Sequence, residues 1–292
     1  MFLVRAARMA AMLPVSPLHP LFAAELAGMR LADIPLEAFH AAMDRYAVLA
    51  IRNERPPSNE EHLAFSRRLG PLQQMKMLTM LAKSKSRLPY LELVDVGNLD
   101  ENGAILPDDD RRRLYNKGNL LWHTDVSFDA NRATYSLLAA HRVPPGGAPT
   151  EFADTRAAYD SLSAEMKERI SDLVVEHSVW HSRALAGFSE VTPEERATRP
   201  PSRHRLVHVR AGRKALYLAS HASHIVGLPL EEGRALLTEL TAHATQPQFV
   251  YRHAWRLGDL VAWDNLATLH RGTPFDDTHH PRDMRRTTVL ER

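Results

Sequence analysis

A histidine and an aspartate one residue apart, His123-Thr124-Asp125, are of the right types to share a metal ion. On an extended strand, residues i and i+2 point to the same face, so an imidazole and a carboxylate there can converge. Alone, the triplet is a weak signal. Among 16 histidines and 35 acidic residues, about one such spacing arises by chance, and a surface histidine beside a turn-forming aspartate explains it. A second histidine changes the weighing. His270 sits in WDNLATLHRG, directly after an apolar segment and roughly half a chain from the triplet. Two histidines and one carboxylate on one face of an octahedron make the facial triad of non-haem iron(II) oxygenases. That geometry leaves three positions, enough for a bidentate 2-oxo acid and dioxygen.

The composition narrows the alternatives. The 292 residues contain no cysteine, which excludes a disulfide framework, an iron–sulfur cluster, a thiolate zinc site and a cysteine nucleophile. Any metal must therefore be held by His, Asp or Glu, and the lack of disulfides fits a cytoplasmic protein. A zinc hydrolase would want a His-Glu-x-x-His motif, which is missing. A 2-oxoglutarate sensor that never consumes its ligand remains a second alternative. The net charge of +2 gives no field for nucleic acid or a membrane surface. The expected partner is a small anionic organic molecule, and a homo-oligomer is expected.

Around these residues the chain reads as one domain. Residues 1–16 form an N-terminal lead interrupted by Arg5 and Arg8, and 17–292 form the domain itself. Apolar spacing predicts helices at 36–46, 59–69, 163–173 and 231–243. Alternating or short apolar runs predict strands at 47–52, 133–140, 150–153, 215–218, 249–255, 259–263 and 287–290. Residues 73–117 carry turn formers and charge blocks, and read either as solvated loops or as an active-site lid. Short strands with Pro/Gly turns and few helices predict a mainly β fold with helical cover, best matched by a double-sheet jelly roll.

The ordered blocks WHTD, PPGG with PTEFAD, WDN with HRGTPFD, and RRTT resemble the taurine/2,4-dichlorophenoxyacetate dioxygenase family. SHASHIVGLPLEEGRALL and FVYRHAWRLGDL are similar to its 2,4-dichlorophenoxyacetate branch. The resemblance runs from about residue 17 to the end. It implies a double-stranded β-helix (cupin-like) core, Fe(2+) held by His123, Asp125 and His270, and 2-oxoglutarate as cosubstrate. It implies that Arg282 and Thr150 hold the distal carboxylate of 2-oxoglutarate, and that Arg286 takes the acidic group of the substrate. An arginine suits either task because its planar fork accepts both oxygens of an acid. Asn119 and His221 match substrate-pocket positions. The implied reaction is hydroxylation of an aryloxyacetate such as 2,4-dichlorophenoxyacetate, giving a phenol and glyoxylate. A taurine, alkylsulfonate or alkyl-sulfate dioxygenase is the alternative within the family.

Several other residues have plainer readings. His221 and His224 read as pocket or hydrogen-bonding histidines rather than a second metal site. Lys76 and Lys117 read as surface lysines or as steering charges. Trp122 and Trp263 are expected to pack around the ligands, with Asp264 and Asn265 as turn residues or acceptors. Gly146-Gly147 is a turn and not a phosphate loop.

Overall fold

The computed structural model describes residues 12–74, 87–188 and 191–291. Residues 1–11 of the expected lead, and Lys76, lie outside these. The strands are β1 (Val15–Pro17), β2 (Ala24–Ala27), β3 (Val48–Arg52), β4 (Val94–Asp95), β5 (Ala133–Arg142), β6 (Thr150–Asp154) and β7 (Val174–His177). They continue with β8 (Ser202–Arg205), β9 (Val207–Arg210), β10 (Arg213–Leu216), β11 (Ala222–Ile225), β12 (Val250–His253), β13 (Leu260–Asp264), β14 (Thr268–Gly272) and β15 (Asp283–Leu290). Seven form one sheet in the order β1-β2-β3-β13-β5-β15-β4, and three form a second, β12-β6-β14. All pairings in these two sheets are antiparallel except β2 with β3.

Side-chain alternation turns the large sheet into a two-faced layer. Val48, Ala50, Leu138, Ala140, Val261, Trp263 and Met284 share one face and pack on Phe152 of β6 and Trp255. The two sheets therefore lie face to face. Leu49, Ile51, Leu137, Ala139, Leu260 and Ala262 share the other face and pack on the helices Leu36–Tyr46 and Asn59–Leu69. Phe39, Met43 and Phe65 fill that layer and are fully buried, each contributing roughly 1.5–3 kcal/mol. Outside the smaller sheet, Ala153 and Leu269 pack against the helix Leu230–Ala244 through Leu236, Leu237 and Leu240.

Local chemistry sets where the helices start and stop. Ser58 and Glu61 form a reciprocal capping box that opens the helix Asn59–Leu69. Ala47, in the left-handed region at φ 56, ends the helix Leu36–Tyr46 and turns the chain into β3.

Some expected elements shift. The helix expected at 163–173 covers Ala164–Ile170, with Ser163 as its cap. The strand expected at 215–218 lies two residues earlier, at Arg213–Leu216, where it pairs with β9. The strand expected at 249–255 is β12, preceded by a 3-10 turn, Pro247–Phe249. The helices are more numerous than expected, with Thr155–Asp160, Val179–Leu185 and Pro193–Ala197 also present. Of the stretch 73–117, residues 75–86 lie outside the described residues, and the remainder is more than loop. Asp110 accepts from the backbone of Arg112 to cap the helix Arg111–Asn116, and β4 pairs with β15. A single side-chain cap and two ladder pairs are too local for periodicity to reveal.

Candidate metal centre and the two cavities beside it

The two histidines meet through their backbones. His123 N–H donates to the His270 carbonyl at 2.9 Å and His270 N–H donates back at 2.8 Å. His270 is held in turn by β14, where it faces Phe152 of β6. The chain then turns so that Asp125 enters the same space. Asn265 fixes that turn. Its Oδ1 accepts from the Asp125 N–H at 3.1 Å and from Trp263 Nε1, while its backbone carbonyl accepts from the Thr124 hydroxyl. Val126, the next residue, sits at φ 61, a strained conformation for a β-branched side chain.

The three side chains converge, with their ligand atoms within 4.8 Å of one another. His123 Nε2 lies 3.9 Å from Asp125 Oδ1, and His270 Nε2 lies 3.6 Å from Asp125 Oδ2. Donors bonded at about 2.0–2.2 Å to one ion and roughly at right angles stand about 3 Å apart, so the set needs little closure around an ion. His123 Nδ1 lies 2.7 Å from the Leu121 carbonyl; donation there leaves Nε2 as the free lone pair. The Trp263 ring packs 4.7 Å from the His270 ring and limits its rotation. Trp122 instead packs against the apolar cluster outside the smaller sheet, beneath the Arg271 guanidinium.

Burial lowers the pKa of His123 and, further, that of His270, so both imidazoles are neutral and able to bind a metal. Burial alone would raise the Asp125 carboxyl. The Arg286 guanidinium, at 2.5 Å, with the Ser136 hydroxyl, outweighs it and holds the group at about 2. Two neutral nitrogens and one ionised oxygen, with no thiolate, suit a divalent first-row ion such as iron(II).

Two cavities open on this centre. The larger, about 140 Å³, is lined by Thr150, Arg282, His270, Leu138, Lys117 and Gly272, among others. The smaller, about 50 Å³, is lined by Asp125, His221, Tyr115, Phe128 and Arg183, among others. His123, Asn119 and Arg286 border both. All eight residues singled out from the sequence are thus in one place.

The larger cavity carries the Arg282 guanidinium. Its Nη1 donates to the Val96 carbonyl at 2.9 Å, and the Arg282 N–H donates to Asn98 Oδ1 at 2.8 Å. Gly97 permits this close strap, since a Cβ there would stand 2.4 Å from the Arg282 carbonyl oxygen. Desolvation, with no anion alongside among the described residues, pulls the Arg282 pKa down to about 10. Thr150 Oγ1 accepts from Trp255 Nε1 at 3.0 Å. On β15, Arg286 faces inward, whereas its neighbour Arg285 turns to the helical side and donates to Asn59, as strand alternation requires.

The smaller cavity is bordered by the rings of Tyr115, His123, Phe128 and His221. His221 Nδ1 lies 3.0 Å from the Ser127 hydroxyl, which leaves Nε2 for the cavity. Phe128 meets the His221 ring edge-on at 5.0 Å. The sequence reading missed Ser136 and Arg183. Ser136 alternates with Leu138 and Ala140 along β5, and a hydroxyl on that otherwise apolar face was a usable signal, but nothing in WHSRAL marks Arg183.

Facing sheets with a His-Asp-His centre between two cavities define the class. The family model described as "Taurine catabolism dioxygenase TauD, TfdA family" matches residues 14–288, and the chain belongs to that family of enzymes. It is 42% identical over 282 residues to the alpha-ketoglutarate-dependent 2,4-dichlorophenoxyacetate dioxygenase of Cupriavidus pinatubonensis, covering 94% of this chain and 97% of that one. It is 31% identical to the (S)-phenoxypropionate/alpha-ketoglutarate-dioxygenase of Sphingobium herbicidovorans, covering 90% of each. Among solved structures it is similar to AAD-2 in complex with Mn(II) and N-oxalylglycine. That match has a TM-score of 0.92 and 42% identity, over 97% of this chain and 99% of that one.

Proposed function

We propose that this chain is an iron(II)- and 2-oxoglutarate-dependent dioxygenase that hydroxylates an aryloxyacetate, with 2,4-dichlorophenoxyacetate as the type substrate. The observation that carries the reading is the His-Asp-His set standing where two cavities meet, each cavity bordered by an arginine. The similarity to enzymes named for phenoxy acids supports the choice of substrate. The facing sheets are read as a double-stranded β-helix, or jelly roll, forming one domain.

His123, Asp125 and His270 hold the iron. With 2-oxoglutarate beside it, iron held by these three side chains would supply dioxygen activation, one oxygen atom going to the C–H bond and the other to succinate. Arg282 and Thr150 grip the distal carboxylate of 2-oxoglutarate in the larger cavity. Arg286 takes the substrate acid, and Asn119 and His221 line its path. Arg286 also neutralises Asp125, which keeps that carboxylate ionised across the working pH range. Leu138 and Trp263 wall the 2-oxoglutarate cavity, and Tyr115 and Phe128 wall the smaller one, where they exclude water and hold the target carbon in place. Hydroxylation beside the ether oxygen gives a hemiacetal, which collapses to a phenol and glyoxylate. 2-Oxoglutarate leaves as succinate and carbon dioxide.

The test is oxygen uptake and succinate release with a panel of phenoxyacetates, taurine and alkyl sulfates. Fast consumption with phenoxyacetates is expected. Turnover of taurine or alkyl sulfates with none of the phenoxyacetates would reject the substrate class and leave the dioxygenase reading standing.

A further inference from the structure

The smaller cavity holds a guanidinium that the reaction described so far does not use. Arg183 is 7% exposed, yet its Nε and Nη1 have no hydrogen-bond partner. It makes no ion pair among the described residues. A buried cation without an anion is costly, and proteins rarely leave one so. Its surroundings hold it in place. The guanidinium lies over the Tyr115 ring, 4.1 Å from the centroid, and the edge of Phe188 backs that ring at 5.7 Å. Its Nη1 rests against Gly118, where a Cβ would stand 1.8 Å away. Only glycine at 118 leaves room for the fork in this position. Tyr115, Gly118 and Asn119 belong to one short stretch, the helix Arg111–Asn116 and the turn Lys117–Leu120. That stretch both cradles the arginine and borders the cavity.

We infer that Arg183 is a second anion-recognition residue for the substrate, which it grips together with Arg286. This inference rests on the dioxygenase reading above. Three observations direct Arg183 to substrate rather than to 2-oxoglutarate. It lines the smaller cavity with His221 and Phe128, and not the one that holds Thr150 and Arg282. Its fork is pre-oriented by Tyr115 and Gly118, so little side-chain entropy is lost when an acid arrives. Arg286 is partly committed, since its Nη1 is spent on Asp125 while its Nε is unpartnered. An acid between the two arginines satisfies the open donors of both. The result is selection for anionic over neutral substrates of the same shape, because a neutral group leaves a buried cation unpaired.

The experiment compares phenoxyacetate with its uncharged amide, phenoxyacetamide, in wild type, Arg183→Gln and Arg183→Lys, and follows the KM for 2-oxoglutarate alongside. In Arg183→Gln the KM for the acid should rise about tenfold to a hundredfold, while the KM values for the amide and 2-oxoglutarate stay within about twofold. Equilibrium dialysis of phenoxyacetate should show the same loss without turnover. An unchanged preference for acid over amide in Arg183→Gln would overturn the inference and leave Arg183 as a support for Tyr115. Should Arg183→Gln fail to fold, Arg183→Lys decides, because it keeps the charge and loses the fork. A rise of about tenfold supports the inference, and an unchanged KM overturns it. A wild type that consumes 2-oxoglutarate but ignores phenoxyacetate rejects the aryloxyacetate reading alone. The same variants are then read on the sulfonate or sulfate ester that the wild type accepts, with the same expected loss.

Discussion

Two nearly inaccessible arginines in this protein live under opposite conditions. Arg156, 1% exposed, is fully matched. Its Nε and Nη2 each donate to an Asp154 oxygen at 2.9 Å, and its Nη1 donates to the Asp44 carbonyl at 2.8 Å. Arg183, 7% exposed, has no acid beside it among the described residues. Arg156 joins β6 to the end of the helix Leu36–Tyr46, so its anion belongs to the fold. Arg183 stands in a cavity at the metal centre, so its anion must come from outside. Unpaired charge is concentrated where ligands enter, and paired charge where layers are joined.

This contrast can be pressed at several points, beginning with the centre itself. Asp125→Ala removes a ligand, and turnover should fall by more than about a thousandfold, equivalent to about 4 kcal/mol of barrier. Succinate release measures it. Asp154→Ala, by comparison, should leave the centre alone and strand Arg156. A stability loss of about 3–5 kcal/mol is expected, read from urea or thermal unfolding. Arg282→Ala belongs with the ligand-gripping group. It should raise the KM for 2-oxoglutarate about tenfold to a hundredfold and affect the substrate KM far less. Equal effects on both would undo the division between the two cavities.

The smallest effect concerns pH. Burial lowers His62 to about 3, helped by His141 and Arg285, and lowers His177 to about 3, helped by His204. Both lie below the unfolded value of about 6.5. Their contribution is therefore complete above pH 6.5 and is lost as pH falls toward 3. Each should cost about 2 kcal/mol between pH 6.5 and 5. Melting temperatures across that range should fall less steeply in His62→Gln than in wild type, and parallel curves would contradict this.

The sequence disclosed the parts of the molecule governed by period and by motif. The helices Leu36–Tyr46 and Asn59–Leu69 have the bounds expected of them, because an apolar face repeats through them and Ser58 and Gly70 punctuate the second. That Arg285 points away from Arg286 followed from strand alternation, whereas Arg282 precedes β15 and reaches the same cavity from outside the strand. The short strands β7, β8, β9 and β11 did not appear. Ser202–Arg205, for instance, is wholly polar, and its pairing with β7 is fixed by tertiary contact rather than by pattern. Arg183 is one of 37 basic residues. Its significance lies in a missing partner, which only three-dimensional packing can reveal. Asn265 was expected as a turn residue or an acceptor, and its Oδ1 accepts from the Asp125 N–H and from Trp263 Nε1.

The most direct test is anaerobic addition of iron(II) and 2-oxoglutarate, followed in the visible region. Wild type should develop the charge-transfer absorption of a chelated 2-oxo acid, and His123→Ala, Asp125→Ala and His270→Ala should not. No band in the wild type, or an undiminished band in any of the three variants, would contradict the assignment of those side chains as the iron site.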